Sequence, residues 1–108
     1  MRVLAAMIVA ACLFAIPATA STQDSPSTNA RIIRQVFGAY GSQAVSVAYC
    51  ESRLHIYSRN GQYLGLFQMG SYARAKYGHS WNAWGQSRSA YRYFRDSGRD
   101  WSPWSCKP

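Results

Sequence analysis

The stretch Tyr49-Cys50-Glu51-Ser52, "YCES", holds the only glutamate of a 108-residue chain and sets it beside a cysteine. Around it, Ala44, Val45, Val47, Ala48 and Leu54 form an apolar stripe, which predicts a helix beginning near Ser42. Glu51 follows Ala44, Val47 and Ala48 by seven, four and three residues, so it falls on the apolar side of that helix. A carboxylate there is expected to face the negative end of the helix dipole and to lose part of its water. Spacing alone leaves two roles open: a general acid, or a partly exposed structural carboxylate.

Outward toward the N-terminus, "ARIIRQVFGAYG" (residues 30–41) puts Ile32, Ile33, Val36, Phe37 and Tyr40 at helical spacing, with Thr28 or Asn29 as cap and Gly38 to Gly41 at the end. Residues 21–29, "STQDSPSTN", carry no apolar period and predict a flexible leader. Residues 1–20 pair Arg2 with a long apolar run ending in Ala18-Thr19-Ala20, the pattern of a secretory signal peptide cleaved near Ala20. A lipoprotein cleaved before Cys12 is disfavoured because "LFAI" continues the apolar run past it. The product is therefore expected to be secreted, extracellular or associated with a cell wall, with no membrane span left after cleavage. Removing Cys12 with the leader leaves Cys50 and Cys106, expected to pair in an oxidising compartment. That link closes a long loop and adds roughly 4 kcal/mol in the chain-entropy account.

Toward the C-terminus, Asn60-Gly61 predicts a tight turn in a short hairpin or loop. The apolar segment "LGLFQM" (64–69) follows, with Gln68 as its one polar side chain. "SYARAKYG" predicts a short helix capped by Ser71 and stopped by Gly78. A further helix is expected at least from Gln86, with Ala90, Tyr91 and Phe94 inward and Gly98 as terminator. Trp101 and Trp104 of the tail are expected to cover the core. The fold class is mainly α: one small domain, residues 30–108, with a short β-like loop and one disulfide.

Twelve Lys and Arg against four acids give a formal charge of +8, which points to an anionic partner without choosing one. His55 and His79 have no ligand at metal spacing, so no metal or other cofactor is expected. Asp96 and Asp100 lie beside Arg95 and Arg99 in "FRDSGRDW", where ion pairing or capping is the simpler role. A second catalytic carboxylate is hard to find.

"CES" followed by "GLFQM", a helix and a "W…W…C" ending resembles the lysozyme-like superfamily, in particular lytic-transglycosylase and resuscitation-promoting-factor domains. The resemblance runs from about Ala30 to Cys106 and implies an α+β lysozyme-like fold. It implies that Glu51 is the catalytic acid, that Gln68 lines a sugar cleft, and that Cys50 bonds Cys106. The chain departs from the pattern in having little extra sequence for cleft walls. Tyr57, Tyr63 and Tyr72, near the motif loops, are the candidate sugar platforms, with Ser71 as a further substrate contact. The implied activity is cleavage of the bond between N-acetylmuramic acid and N-acetylglucosamine in peptidoglycan, by a transglycosylase or a lysozyme-type hydrolase. The expected partners are glycan strands of an anionic cell wall, met by a monomer and without nucleic acid. The rivals are a cationic wall-binding protein without catalysis, since "ARAKYGHSW" interleaves cations with aromatics, and a membrane-active protein.

Overall fold

The computed structural model describes residues 24–108; the expected signal peptide and the first residues of the leader lie outside them. Among the described residues are four α-helices, a short 3₁₀ turn and one two-stranded sheet. They run as α1 (Pro26–Phe37), a 3₁₀ turn (Gly38–Tyr40), α2 (Gly41–Ser52), β1 (Arg59–Asn60), β2 (Tyr63–Leu64), α3 (Ser71–Tyr77) and α4 (Ala83–Asp96). The chain is thus mainly helical with one small sheet, as its periodicity predicts.

Helix α1 starts four residues earlier than expected, so the segment 26–29 is not a flexible leader. Ser25 is the cap, its hydroxyl accepting the Thr28 N–H, and Pro26 opens the first turn where its missing N–H costs nothing. Thr28 and Asn29, the expected caps, lie inside the helix. Asn29 is fully buried and donates from Nδ2 to both the Leu54 carbonyl and Asp24 Oδ1, each at 2.8 Å. The same Asp24 oxygen accepts the Ile56 N–H at 2.9 Å. A carboxylate that satisfies two donors of the folded body holds this segment in place.

Helix α1 packs against α2 and α4, and α3 packs on α4. Ile33, Phe37, Ala44, Val47, Ala48, Leu66, Phe67, Ala90 and Phe94 fill the space between them. Phe37 stacks on Phe67 and Trp101, and Trp101 packs on Phe94 with ring centroids 4.4 Å apart. Both tail tryptophans are buried, as expected, and their indole N–H groups are used. Trp101 donates to Gln43 Oε1 at 2.8 Å and Trp104 to the Phe67 carbonyl at 2.9 Å. The tail that carries them is turn-rich rather than extended. The Cys50–Cys106 disulfide forms and fastens it to the end of α2.

The hairpin pairs Arg59 with Leu64 and Asn60 with Tyr63, leaving Gly61-Gln62 as its two-residue loop. Gly61 has φ +62° at the first loop position, where a II′ turn requires glycine. Leu64 then bridges Met69, so that residues 65–68 form a tight loop directly after the hairpin. Gly65, at φ +81°, lies so close to Gln86 that a Cβ would fall 2.5 Å from its Oε1. Gln86 is buried in α4 and accepts the Leu66 N–H at 2.8 Å while donating to the carbonyls of Ile56 and Ser80. One amide side chain thereby joins three loops to the helical body.

Candidate active site

The "YCES" and "GLFQM" stretches meet at the C-terminal end of α2. Ser52, buried under that end, sets its hydroxyl 2.7 Å from the Leu66 carbonyl and 3.0 Å from the Ala48 carbonyl, and accepts the Leu54 N–H at 3.2 Å. The loop is thus hung from the helix one residue past Glu51. Arg53 and Leu54 follow with positive φ, which ends α2 abruptly and turns the chain away from the site.

A cleft of about 410 Å³ opens beside this joint. Glu51 stands on its wall at the edge of the apolar stripe, half-buried while Val47 and Ala48 one turn earlier are wholly buried. The Cys106 backbone N–H donates to Glu51 Oε2 at 3.1 Å, and no described residue donates to Oε1. One oxygen is therefore anchored and the other is available to a ligand. Glu51 is the only charged side chain among the described residues that line the cleft.

Gln68 lines the cleft with Glu51, in a positive-φ backbone conformation (φ +47°) unusual for a residue with a Cβ. Its Nε2 donates to the carbonyls of Ser58 (3.1 Å) and Gly65 (3.0 Å), so the side chain also closes its own loop. Tyr63 and Tyr72 line the cleft too, both largely exposed.

Two expected contacts are not cleft residues. Tyr57 turns away and stacks on Trp81, ring centroids 5.6 Å apart at 25°. Ser71 does not line the cleft and is not a cap: it is the first residue of α3, behind Gly70 at the cap position. Its N–H and hydroxyl both reach Gln62 Oε1, at 2.9 and 3.0 Å, so Gln62 satisfies the helix start from across the hairpin. Arg74 reinforces the same junction, donating to the carbonyls of Gln62 and Met69.

Several lining residues escape sequence reasoning. Asn60 and Gln62 supply amide groups from the hairpin, and Tyr93 comes from α4. Tyr93 is held between Tyr77 and Trp104, at 5.2 and 5.0 Å. Pro103, Trp104 and Ser105 line the cleft from the tail, so Trp104 serves both core and cleft. The signal for this part of the lining was the cystine, because linking Cys106 to Cys50 brings the preceding tail residues beside Glu51.

The remaining acids are committed elsewhere. Asp96 accepts from the Tyr77 hydroxyl and Arg95, and these bonds, the Tyr77 one first, hold its pKa below the usual aspartate value. Asp100 accepts from Ser102, chiefly through its side chain and backbone groups, with the same direction of shift. Asp24 takes Asn29, Ile56 and His55. None of the three lines the cleft. Among the described residues no cluster of His, Cys, Asp and Glu is arranged to hold a metal, and no helix is long and apolar enough to cross a membrane.

The site can thus offer a ligand one half-buried carboxyl group, neutral amides from Asn60, Gln62 and Gln68, and aromatic faces. Those features suit an uncharged, hydroxyl-rich chain better than a phosphate or a metal. No family model, curated protein or solved structure matches the chain.

Proposed function

We propose that the chain is a peptidoglycan-cleaving enzyme of the lysozyme-like type, acting as a lytic transglycosylase with Glu51 as its single general acid and base. The observation that carries this reading is the cleft itself: one carboxyl group with an anchored oxygen, facing amides and aromatic rings, with no second acid on the walls. Most glycosidases place a second carboxylate about 5–10 Å from the first as nucleophile or base. Here the substrate must supply that partner.

In the proposed reaction protonated Glu51 gives its proton to the oxygen linking N-acetylmuramic acid to N-acetylglucosamine, and the C1–O bond breaks. The muramyl acetamido oxygen stabilises the electron-poor C1. The Glu51 carboxylate then takes the proton of the muramyl 6-hydroxyl as O6 attacks C1. The product is a 1,6-anhydro sugar, Glu51 regains its proton, and no water is consumed. Anchoring of Oε2 by the Cys106 amide directs both transfers to Oε1. Gln68 Oε1 and the amides of Asn60 and Gln62 hold sugar hydroxyls and acetamido groups, while Tyr63, Tyr72 and Tyr93 offer flat faces to pyranose rings.

Mass spectrometry of sugars released from purified peptidoglycan tests this. Anhydro ends are expected. Reducing ends would make the protein a hydrolase of the same bond, and intact glycan with retained binding would make it a wall-binding protein.

A further inference from the structure

Of the four tryptophans, Trp101 and Trp104 are buried, whereas Trp81 and Trp84 are 44% and 40% exposed. Neither exposed indole borders the cleft, nor does Tyr57, which is 58% exposed. Open indoles in a small protein lose the burial that normally retains them, so their arrangement needs a cause. Trp81 and its neighbours hold one another in place. Trp81 carries the Tyr57 ring on one face, and the His79 ring meets it edge-on at 4.5 Å and 90°. Trp84 stands three residues on, within about 11 Å along the chain, across the helix cap Asn82. One turn further into α4, the Arg88 guanidinium covers Trp84 at 5.6 Å. Arg88 is exposed and meets no carboxylate, because the ion pairs among the described residues are His55–Asp24 and Arg95–Asp96.

We propose that Tyr57, Trp81, Trp84 and Arg88 form a second, non-catalytic docking surface for a carboxylate-bearing glycan strand; the inference rests on reading the cleft as a glycan site. Pyranose rings present flat C–H faces that lie on indole and phenol rings, and peptide stems along the strand carry carboxylates for an unpaired guanidinium. Tyr57 and Trp81 supply a stacked aromatic pair, and Trp84 with Arg88 supplies a second ring that carries a cation. A bilayer fits less well: Tyr57 and Trp81 stack on each other, and the loop between them and α4 carries the polar Ser80 and Asn82 rather than an apolar tip. A single-stranded nucleic acid requires a track of cations beside the stacked bases. Along α4 no such track forms, since Arg92, one turn beyond Arg88, is turned onto the Tyr77 carbonyl. Two points of attachment on one polymer keep the cleft near its next bond through effective concentration.

The test measures pelleting with purified peptidoglycan sacculi, using the Glu51→Gln protein so that no strand is cut. Trp81→Ala and Trp84→Ala are each expected to weaken binding about fivefold to tenfold. Arg88→Gln is expected to remove much of the salt dependence. Trp84 and Arg88 sit on the exposed face of α4, so these two variants keep the test sound if Trp81→Ala loosens the loop around His79. On the wild-type background, Trp84→Ala is expected to leave turnover of a short soluble muropeptide glycan unchanged. Sacculus binding at wild-type strength in folded Trp84→Ala and Arg88→Gln proteins overturns the proposal. So does a loss confined to polyuridylate or to anionic phosphatidylglycerol vesicles. Pelleting is read without any turnover, so an inactive wild-type protein would defeat the proposed reaction and still leave the docking surface to be judged.

Discussion

Ser52→Ala tests whether the two motif stretches form one joint. The substitution removes the hydroxyl that touches the Leu66 carbonyl at 2.7 Å and accepts the Leu54 N–H at 3.2 Å. Each bond has a net worth of about 1 kcal/mol, and a buried polar group stranded by the change costs about 1–3 kcal/mol. Ser52 is buried and both of its partners would be left without it, so a total loss of roughly 2–3 kcal/mol is expected. For a domain of this size that lowers Tm by about 10–20 °C, read by circular dichroism at 222 nm. Glycan turnover well below Tm should fall as well, because the loosened loop carries Gln68. A Tm drop under about 4 °C would refute the reasoning, since it would mean that neither partner depends on the hydroxyl. A full drop with unchanged turnover would keep the joint but detach it from the cleft.

Glu51→Gln preserves an acceptor for the Cys106 N–H but has no proton to give, so sugar release should fall at least about 10²-fold while sacculus pelleting persists. Gly65→Ala forces a Cβ into Gln86 at a positive φ, and a loss of at least roughly 1–3 kcal/mol is expected as a lower urea midpoint with unchanged slope. His79 titrates below its ordinary 6.5, mainly through burial and then through the Arg74 charge. Its folded pKa is depressed, so its contribution to stability is complete above pH 6.5 and is lost as pH falls through the folded value. Urea midpoints taken from pH 7.5 downward should therefore decline in the wild type more steeply than in His79→Gln.

The helical frame was legible because the apolar spacing in 30–41 and 44–54 is regular and nothing in the fold opposes it. The start of α1 was not, since its cap and its proline belong to a polar run without period. What fixes that run is a set of side-chain bonds from Asp24 and Asn29 to residues more than twenty positions away. Glu51, Gln68, Tyr63 and Tyr72 were placed on the cleft by their nearness to the two motifs. Tyr57 was misplaced for the same reason: one residue past the core side chain Ile56, its direction is decided by Trp81, which no local pattern reveals. Ser71 looks like a cap by residue type, yet Gln62 does the capping from the hairpin loop. Trp104 was assigned to the core alone because sequence gives a residue one surrounding, whereas a large ring can have two.

The bond from the Cys106 amide to Glu51 joins residues made far apart in time. Glu51 is made well before the tail that anchors it, and before α4, whose Gln86 and Phe94 complete the fold around it. The tail's part of the cleft lining and the carboxylate's tether arrive only with residues 103–106. On the proposed reading, the complete cleft exists only once the tail has docked and the cystine has closed, so that cutting would wait for the finished molecule.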